Sequence, residues 1–297
     1  MTSSLPADTR AASPVPLTET QLRSWPLPSD PEDSKFERGT AVVIGGTSKT
    51  AGAVLLAGEA ALRVGAGRLQ IATVEPAVPA LMAVAPEALV EGLPCSPHGS
   101  VDPDAVGGGL MRLVADASAL LVGPGTDDVE DTAALLATVL PHVGAEAVVV
   151  LDASAIAAIG QMRAALRPFR GRLVLTPNRG EAEDLVGTAG AGADAASIAR
   201  SEGSVVSMDG IVASHDGRLW VAAERLPGLG TSGSGDVLAG LVAGAAARCG
   251  DAAQAACWAT YLHVAAGADA TRRIGPVGFL ARDLLSQIPR LMADASQ

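Results

Sequence analysis

A glycine- and serine-rich stretch, Gly228 to Gly240, holds the residues whose types and spacing most clearly suggest chemistry. It reads Gly-Leu-Gly-Thr-Ser-Gly-Ser-Gly-Asp-Val-Leu-Ala-Gly and continues into an apolar helix predicted over 237–247. Glycines let a backbone approach a ligand closely and adopt positive φ, and the free N–H groups that open a helix attract anions. Gly233, Ser234 and Gly235 are therefore predicted to form an anion hole for phosphate.

Asp236 lies at the mouth of this loop, where a carboxylate is otherwise a poor neighbour for phosphate. One interpretation makes Asp236 a general base for a hydroxyl group that attacks a phosphoryl group. The other makes it a residue that only caps the N-terminus of the following helix. Taken alone, the loop does not distinguish between them.

Alternating strands and helices are predicted to position this loop. Apolar runs predict strands at 40–44, 69–73, 119–122, 147–151 and 172–176. Helices are predicted at 51–64, 78–84, 131–140 and from 182 onward, with a weaker one at 193–200. Such runs are typical of strands buried on both faces of a parallel sheet. The pattern predicts one doubly wound α/β domain over 34–297, with a mostly parallel sheet and helices on both faces.

The two ends of the chain follow other patterns. Residues 1–33 are rich in Pro, Ser, Thr, Asp and Glu, which predicts a flexible arm with at most a short helix within 17–27. Short strands are predicted at 205–206, 211–213 and 219–221, the last two joined as a hairpin by His215-Asp216-Gly217. Helices at 251–270 and 281–292 complete the chain.

Several polar and glycine-rich turns follow predicted strands, at the edge where open α/β sheets bind ligands. These turns hold Gly45-Gly46, Gly123-Pro124-Gly125, Asp152 and Asn178-Arg179-Gly180-Glu181. Asp152 could orient a loop or bind a metal, but we favour an N-cap of the helix that follows. His263, inside an alanine-rich helix, is interpreted as a packed core residue.

Composition excludes several classes of function. The formal net charge of −11 argues against a nucleic-acid partner. No apolar run is long enough to span a membrane, and the N-terminus has no apolar signal region. The three scattered cysteines suit a reducing, cytoplasmic compartment. Because Lys35 and Lys49 are the only lysines, the charge of any bound phosphate must be met by amides, arginine or a metal ion.

The order of several short motifs resembles that of a known family. The motifs are Val43-Ile44-Gly45-Gly46-Thr47, Gly52 to Gly58, Ala61 to Gly67, Val122 to Gly125, Leu151-Asp152-Ala153, Leu175 to Glu181, Gly233 to Gly240 and Tyr261-Leu262-His263. Together they resemble the ADP- or ATP-dependent NAD(P)H-hydrate dehydratases, a branch of the ribokinase-like superfamily. The similarity extends from about Phe36 to Met292, which is nearly all of the predicted domain.

The resemblance implies a ribokinase-like fold and a repair activity. NADH and NADPH hydrates carry a hydroxyl group at C6 of the nicotinamide ring, which the family phosphorylates from ADP or ATP. Phosphate then leaves and the reduced cofactor is restored. Position by position, Asp236 would be the base and Gly233 to Gly235 the anion hole. Ala53, Gly125 and Asn178 would line the hydrate pocket, with Mg²⁺ at an unknown site and several subunits in the assembly.

The chain departs from the family at the nucleotide loop. Where the family has a Lys-Gly loop, this chain reads Ser207-Met208-Asp209-Gly210 and is about two residues shorter. Ser207 and Gly210 are still expected to contact nucleotide, and Arg179 is expected to replace part of the lysine charge. Two alternatives therefore stay open beside the dehydratase: a ribokinase-like small-molecule kinase, and a non-catalytic member that binds nucleotide.

Overall fold

The computed structural model describes residues 13–28, 34–186, 194–222 and 226–297. The described strands are β1 (Val15–Leu17), β2 (Thr40–Ile44), β3 (Arg68–Val74), β4 (Ala88–Leu93), β5 (Ala119–Val122), β6 (Val148–Leu151), β7 (Leu173–Leu175), β8 (Val205–Met208), β9 (Ile211–Ser214) and β10 (Leu219–Ala222). The described helices are α1 (Glu19–Arg23), α2 (Gly52–Arg63), α3 (Val78–Val84), α4 (Gly108–Ala115), α5 (Val129–Val139), α6 (Ser154–Ala157), α7 (Ile159–Leu166), α8 (Arg179–Val186), α9 (Ala195–Glu202), α10 (Ser234–Cys249), α11 (Ala252–Arg273), α12 (Ala281–Leu285) and α13 (Ile288–Ser296).

All ten described strands belong to one sheet in the order β1-β10-β9-β8-β7-β6-β5-β2-β3-β4. The pairs from β8 through β7, β6, β5, β2 and β3 to β4 are parallel, and β9 runs antiparallel to both β8 and β10. The prediction of a mostly parallel α/β sheet is confirmed. Because the strands share one sheet, we propose to treat residues 34–297 as a single domain.

Helices cover both faces of the sheet. The long helices α10 and α11 contact each other and the central strands, and α2 and α12 pack beside them. On the other face, α5, α6, α7, α8 and α9 form a second connected layer. The central strands β2, β5 and β6 are buried along their whole length, which explains why their sequences are apolar without alternation.

The N-terminal segment is docked, which corrects the prediction of a flexible arm for residues 13–28. β1 extends the sheet by pairing parallel with β10, and Pro16 is tolerated because an edge strand leaves one side of its backbone unpaired. The Trp25 ring lies 5.9 Å from the Trp220 ring, centroid to centroid. Trp258 Nε1 donates to the carbonyl oxygen of Trp25 over 2.9 Å. The short helix within 17–27 is confirmed as α1, whereas 1–12 and 29–33 lie outside the described residues.

Three other features differ from the sequence analysis. Strand β4 and helix α4 are elements that the sequence pattern did not reveal. The predicted final helix is two helices, α12 and α13, because Pro289 has no N–H to donate and its ring would clash with the carbonyl of Leu285. The tip between β8 and β9 is a second hairpin that the sequence pattern did not reveal.

Helices α2 and α10 pack backbone to backbone. A Cβ atom on Gly240 would overlap the carbonyl oxygen of Ala57, and one on Gly244 would overlap that of Ala61. This close approach is possible only because both positions of α10 lack a side chain. It fixes the helix that carries Asp236 against the helix that carries Ala53.

Within the described part of the chain, no helix has the length and apolar character that crossing a membrane requires.

Candidate functional site

Two glycine turns meet at the carboxyl ends of the adjacent strands β2 and β5. The N–H of Gly46 donates to the carbonyl oxygen of Pro124 over 2.8 Å. Gly125, at φ +71°, lies against Ala53 so closely that a side chain there would overlap the Ala53 methyl group. Ala53 and Gly125, which are both expected to line the hydrate pocket, are therefore in contact with each other.

The predicted anion loop has the backbone geometry that its glycines suggested. Gly233 adopts φ +86° as the N-cap of α10 and makes no side-chain cap bond. Ser234 and Gly235 then open the helix, so their end of α10 presents the positive pole of the helix dipole. The loop is held in place by Leu56 of α2 and Ala281 of α12, which lie against Gly233.

Asp236 occupies the first turn of α10 and is partly buried. Burial raises the pKa of its carboxyl group to about 6, because a charged form is poorly solvated there. Its carboxylate accepts no hydrogen bond from the described residues, so the structure gives no support to a purely capping role. A carboxylate with this pKa ionises near neutral pH and suits a general base.

Asp152 lies deeper, at the carboxyl end of β6. The Thr176 hydroxyl donates to Asp152 Oδ1 over 2.8 Å, while Ala153 is the N-cap of α6. The interpretation of Asp152 as a side-chain N-cap is therefore wrong. Burial, with the neighbouring charge of Asp236 as a smaller cause, raises the pKa of Asp152 to about 7. Ala153 follows at φ +49°, a strained conformation for a residue with a side chain.

The raised pKa of Asp152 predicts a pH-dependent cost in stability. Because the folded pKa exceeds the unfolded value, the native protein binds more protons, and stability falls as pH rises from about 4 to about 7. Asp152→Asn keeps a hydrogen-bonding partner for Thr176 without the charge. We expect it to stabilise the nucleotide-free protein by about 1–2 kcal/mol near pH 8 and by much less near pH 4.

Urea unfolding at several pH values measures this difference. Asp116→Asn, an exposed carboxylate at the end of α4, is the matched control and should change stability little at any pH. Parallel stability curves for Asp152→Asn and the wild type would contradict the prediction.

A cavity of about 460 Å³ opens beside the anion loop. It brings together six of the predicted site residues: Asn178, Arg179, Ser207, Gly210, Ser234 and Gly235. Ala53, Gly125, Gly233 and Asp236 are not part of its lining. Thr176, which bonds Asp152, lines the same cavity and links that buried carboxylate to its wall.

The shortened nucleotide loop is a tight hairpin between β8 and β9. Its two central residues, Asp209 and Gly210, both have positive φ, at +52° and +77°, as a type I′ turn requires. The Nε of Arg179 donates to Asp209 Oδ2 over 2.6 Å at the rim of the cavity. The Arg179 charge expected to replace the lysine is thus already matched by a carboxylate.

Asn178 has a structural task at the start of α8. Its Oδ1 accepts from the N–H of Glu181 over 3.0 Å, and Glu181 Oε2 accepts from the N–H of Asn178 over 2.9 Å. This reciprocal pair is a capping box. Asn178 lines the cavity, but its side-chain oxygen is already committed to the helix.

His263 is buried, as predicted, and it also lines the cavity, which the prediction did not include. Its ring is buried in α11, and its Nε2 lies 2.9 Å from Ser234 Oγ and 3.1 Å from the Ser234 carbonyl oxygen. Burial lowers the pKa of His263 to about 4, so the ring is neutral at ordinary pH. No local pattern marks this contact, because its partner lies 29 residues away. The sequence signal that could have indicated it is a polar ring within an alanine-rich helix.

This sheet order, with a glycine-rich anion loop that opens a long central helix, defines a ribokinase-like α/β protein. A ribokinase-like superfamily protein from Enterococcus faecalis has the same fold, with a TM-score of 0.83 and 25% identity over 99% of this chain and 100% of that one. A family model described as NAD(P)H-hydrate dehydratase matches residues 41–290. The chain belongs to the NAD(P)H-hydrate dehydratase family.

Individual relatives agree with this assignment. The ADP-dependent (S)-NAD(P)H-hydrate dehydratase of Xanthomonas campestris is 42% identical over 93% of this chain and 95% of its own length. The bifunctional NAD(P)H-hydrate repair enzyme of Escherichia coli is 30% identical over 92% of this chain, which spans about half (51%) of that relative. The ADP/ATP-dependent NAD(P)H-hydrate dehydratase of Bacillus subtilis, co-crystallised with ATP/Mg²⁺, has a TM-score of 0.77 and 26% identity over 96% of this chain and 100% of that one.

Proposed function

We propose that this protein restores NADH and NADPH from their hydrates, with an adenine nucleotide as phosphoryl donor. The observation that carries the proposal is Asp236, a partly buried carboxylate with a raised pKa and no hydrogen-bonded partner among the described residues, beside an anion loop. Membership of the family supplies the substrate class. A carboxylate without a hydrogen-bonded partner beside a phosphate site is suited to take up a proton.

Each group then has a task. Asp236 accepts the proton of the C6 hydroxyl group as its oxygen attacks the terminal phosphorus of the nucleotide. The amides of Gly233 and Gly235 stabilise the charge that develops on the transferred group, whereas the Ser234 N–H already donates to the carbonyl oxygen of Thr231. The bond from phosphorus to the nucleotide breaks, and phosphate later leaves C6 while a ring proton is lost. Ala53, Gly125 and Asn178 are proposed to hold the hydrate, and Ser207 and Gly210 the nucleotide.

We favour ADP as donor, because the Xanthomonas campestris relative is ADP-dependent. Mg²⁺ is proposed to enter with the nucleotide, since no three acidic, histidine or cysteine side chains of the described segments form a cation site. Asp152 suits such an ion, because Mg²⁺ takes one or two carboxylates together with phosphate oxygens. Bound there, it would neutralise phosphoryl charge.

The test follows absorbance at the reduced-nicotinamide band. Purified protein is mixed with NADH hydrate and Mg²⁺, together with ADP, with ATP, or with no nucleotide. We expect recovery of NADH only with nucleotide, faster with ADP. If folded protein recovers no NADH with either donor, the proposed function is wrong.

The ion pair between Arg179 and Asp209 gives a second prediction. If Arg179 serves the nucleotide, Arg179→Ala leaves the Asp209 charge facing phosphate, and the affinity for ADP should fall about 10-fold. Asp209→Asn releases Arg179 and keeps a residue that tolerates positive φ, so ADP should bind more tightly. Calorimetric titration measures both, and unchanged affinity in Arg179→Ala would remove this residue from nucleotide binding.

We also propose a cytoplasmic homo-oligomer. Free thiols at Cys95, Cys249 and Cys257 suit a reducing compartment. Exposed apolar side chains on α3 and the edge strand β4, at Met82, Val84 and Leu89, suit an interface between copies. Light scattering of the purified protein would give the number of subunits.

A further inference from the structure

The anion loop is bonded to a buried histidine of the neighbouring helix. His263 Nε2 faces two oxygens of one residue: Ser234 Oγ at 2.9 Å and the Ser234 carbonyl oxygen at 3.1 Å. Only 8% of His263 and 3% of Ser234 is exposed. Both residues line the cavity in which the nucleotide phosphates are proposed to bind.

The carbonyl oxygen determines which way these bonds run. A carbonyl can only accept, so a bond between it and His263 requires the hydrogen to be on Nε2. The opposite tautomer would set the ring lone pair against the carbonyl lone pairs at 3.1 Å, which is repulsive. With the hydrogen on Nε2, the ring donates to both oxygens of Ser234.

This direction determines what the serine can offer. A hydroxyl group has one hydrogen to donate, and Ser234 Oγ already accepts from His263. No described residue accepts the Ser234 hydroxyl hydrogen, which is therefore available to an anion in the cavity. Donation from histidine also polarises the hydroxyl group, which strengthens its own bond to an acceptor.

We propose that His263 is a positioning residue that holds the Ser234 hydroxyl as a hydrogen-bond donor to the phosphoryl group of the nucleotide. The inference rests on the proposed function, in that the cavity must take the nucleotide phosphates. The neutral state of the buried ring, whose pKa is lowered to about 4, agrees with a ring that donates from one nitrogen only.

The test is a double-mutant cycle with His263→Leu, Ser234→Ala and the combination. Removal of one anion-hole donor costs about 10²-fold in kcat, which we expect for Ser234→Ala. His263→Leu should cost about 10-fold in kcat with a smaller change in KM. Because the histidine acts through the serine, the double variant should be no slower than Ser234→Ala alone. His263→Gln, which can place an N–H near the same position, should recover most of the activity.

Two outcomes would overturn the proposal. If the fold-losses in kcat of the two single variants multiply in the double variant, His263 acts independently of Ser234. Wild-type activity in Ser234→Ala would show that its hydroxyl group does not face the phosphoryl group. The same cycle is measured on ADP affinity by calorimetry without hydrate, so the coupling can be judged even if wild-type protein repairs no hydrate. Thermal unfolding of each variant separates loss of the fold from loss of the contact.

Discussion

Asp236→Asn should fold normally and lose turnover by about 10²-fold or more, the usual scale for removal of a general base. The substitution preserves shape and removes only the ability to accept the hydroxyl proton. The free energy of unfolding should not fall, since burial raises the pKa of Asp236 and its charge is a cost to the fold. The variant therefore separates catalysis from stability.

The pH dependence of the wild type provides a second measurement. Because the base must be ionised, kcat/KM should fall as pH drops through about 6, where Asp236 takes up a proton. Asp294→Ala is the control: it removes an exposed carboxylate from α13, where it pairs with Arg290. Turnover of Asp236→Asn within a few-fold of this control would exclude Asp236 as the base.

Gly240→Ala should strongly destabilise the fold. Its new Cβ atom would overlap the backbone carbonyl oxygen of Ala57, and neither helix can yield by rotating a side chain. Overpacking of this kind costs about 3 kcal/mol, which should lower Tm by about 4–8 °C. Calorimetric melting of the purified variant measures the change.

Gly160→Ala is the matched control for this prediction. Gly160 is exposed in helix α7, and no atom lies within 4 Å of the position that a Cβ atom would take. Alanine is a better helix former than glycine, so this change should stabilise by about 0.5–1 kcal/mol. If both variants shifted Tm in the same direction, the close packing of α2 on α10 would not explain the result.

The parts of the fold that the sequence predicted share one physical property. β2, β5 and β6 are buried on both faces, so their apolar runs are uninterrupted and easy to recognise. β4 was not predicted, because it is a partly exposed edge strand that contains Glu91 and Gly92. β1 was not predicted, because a proline-rich segment resembles a flexible arm until its partner strand, β10, is known.

In the candidate site, too, local features could be predicted from the sequence and tertiary contacts could not. Gly233 to Asp236 could be predicted because a local glycine pattern determines the local backbone. The hydrogen-bonding partners of Asp152 and His263 could not be predicted from the sequence. Thr176 meets Asp152, and Ser234 meets His263, only because separate strands and helices pack together. The resemblance to a family supplied the expected role of Asp236, but it did not predict the ion pair between Arg179 and Asp209.

The three tryptophans of this chain lie in one cluster, where the segment 13–28 meets the sheet and α11. Intrinsic fluorescence is therefore a specific reporter of whether that segment is docked. Its release would expose Trp25 and remove a neighbour from both Trp220 and Trp258, while far-ultraviolet circular dichroism would change little. A denaturation curve in which emission shifts before ellipticity would reveal local undocking ahead of global unfolding.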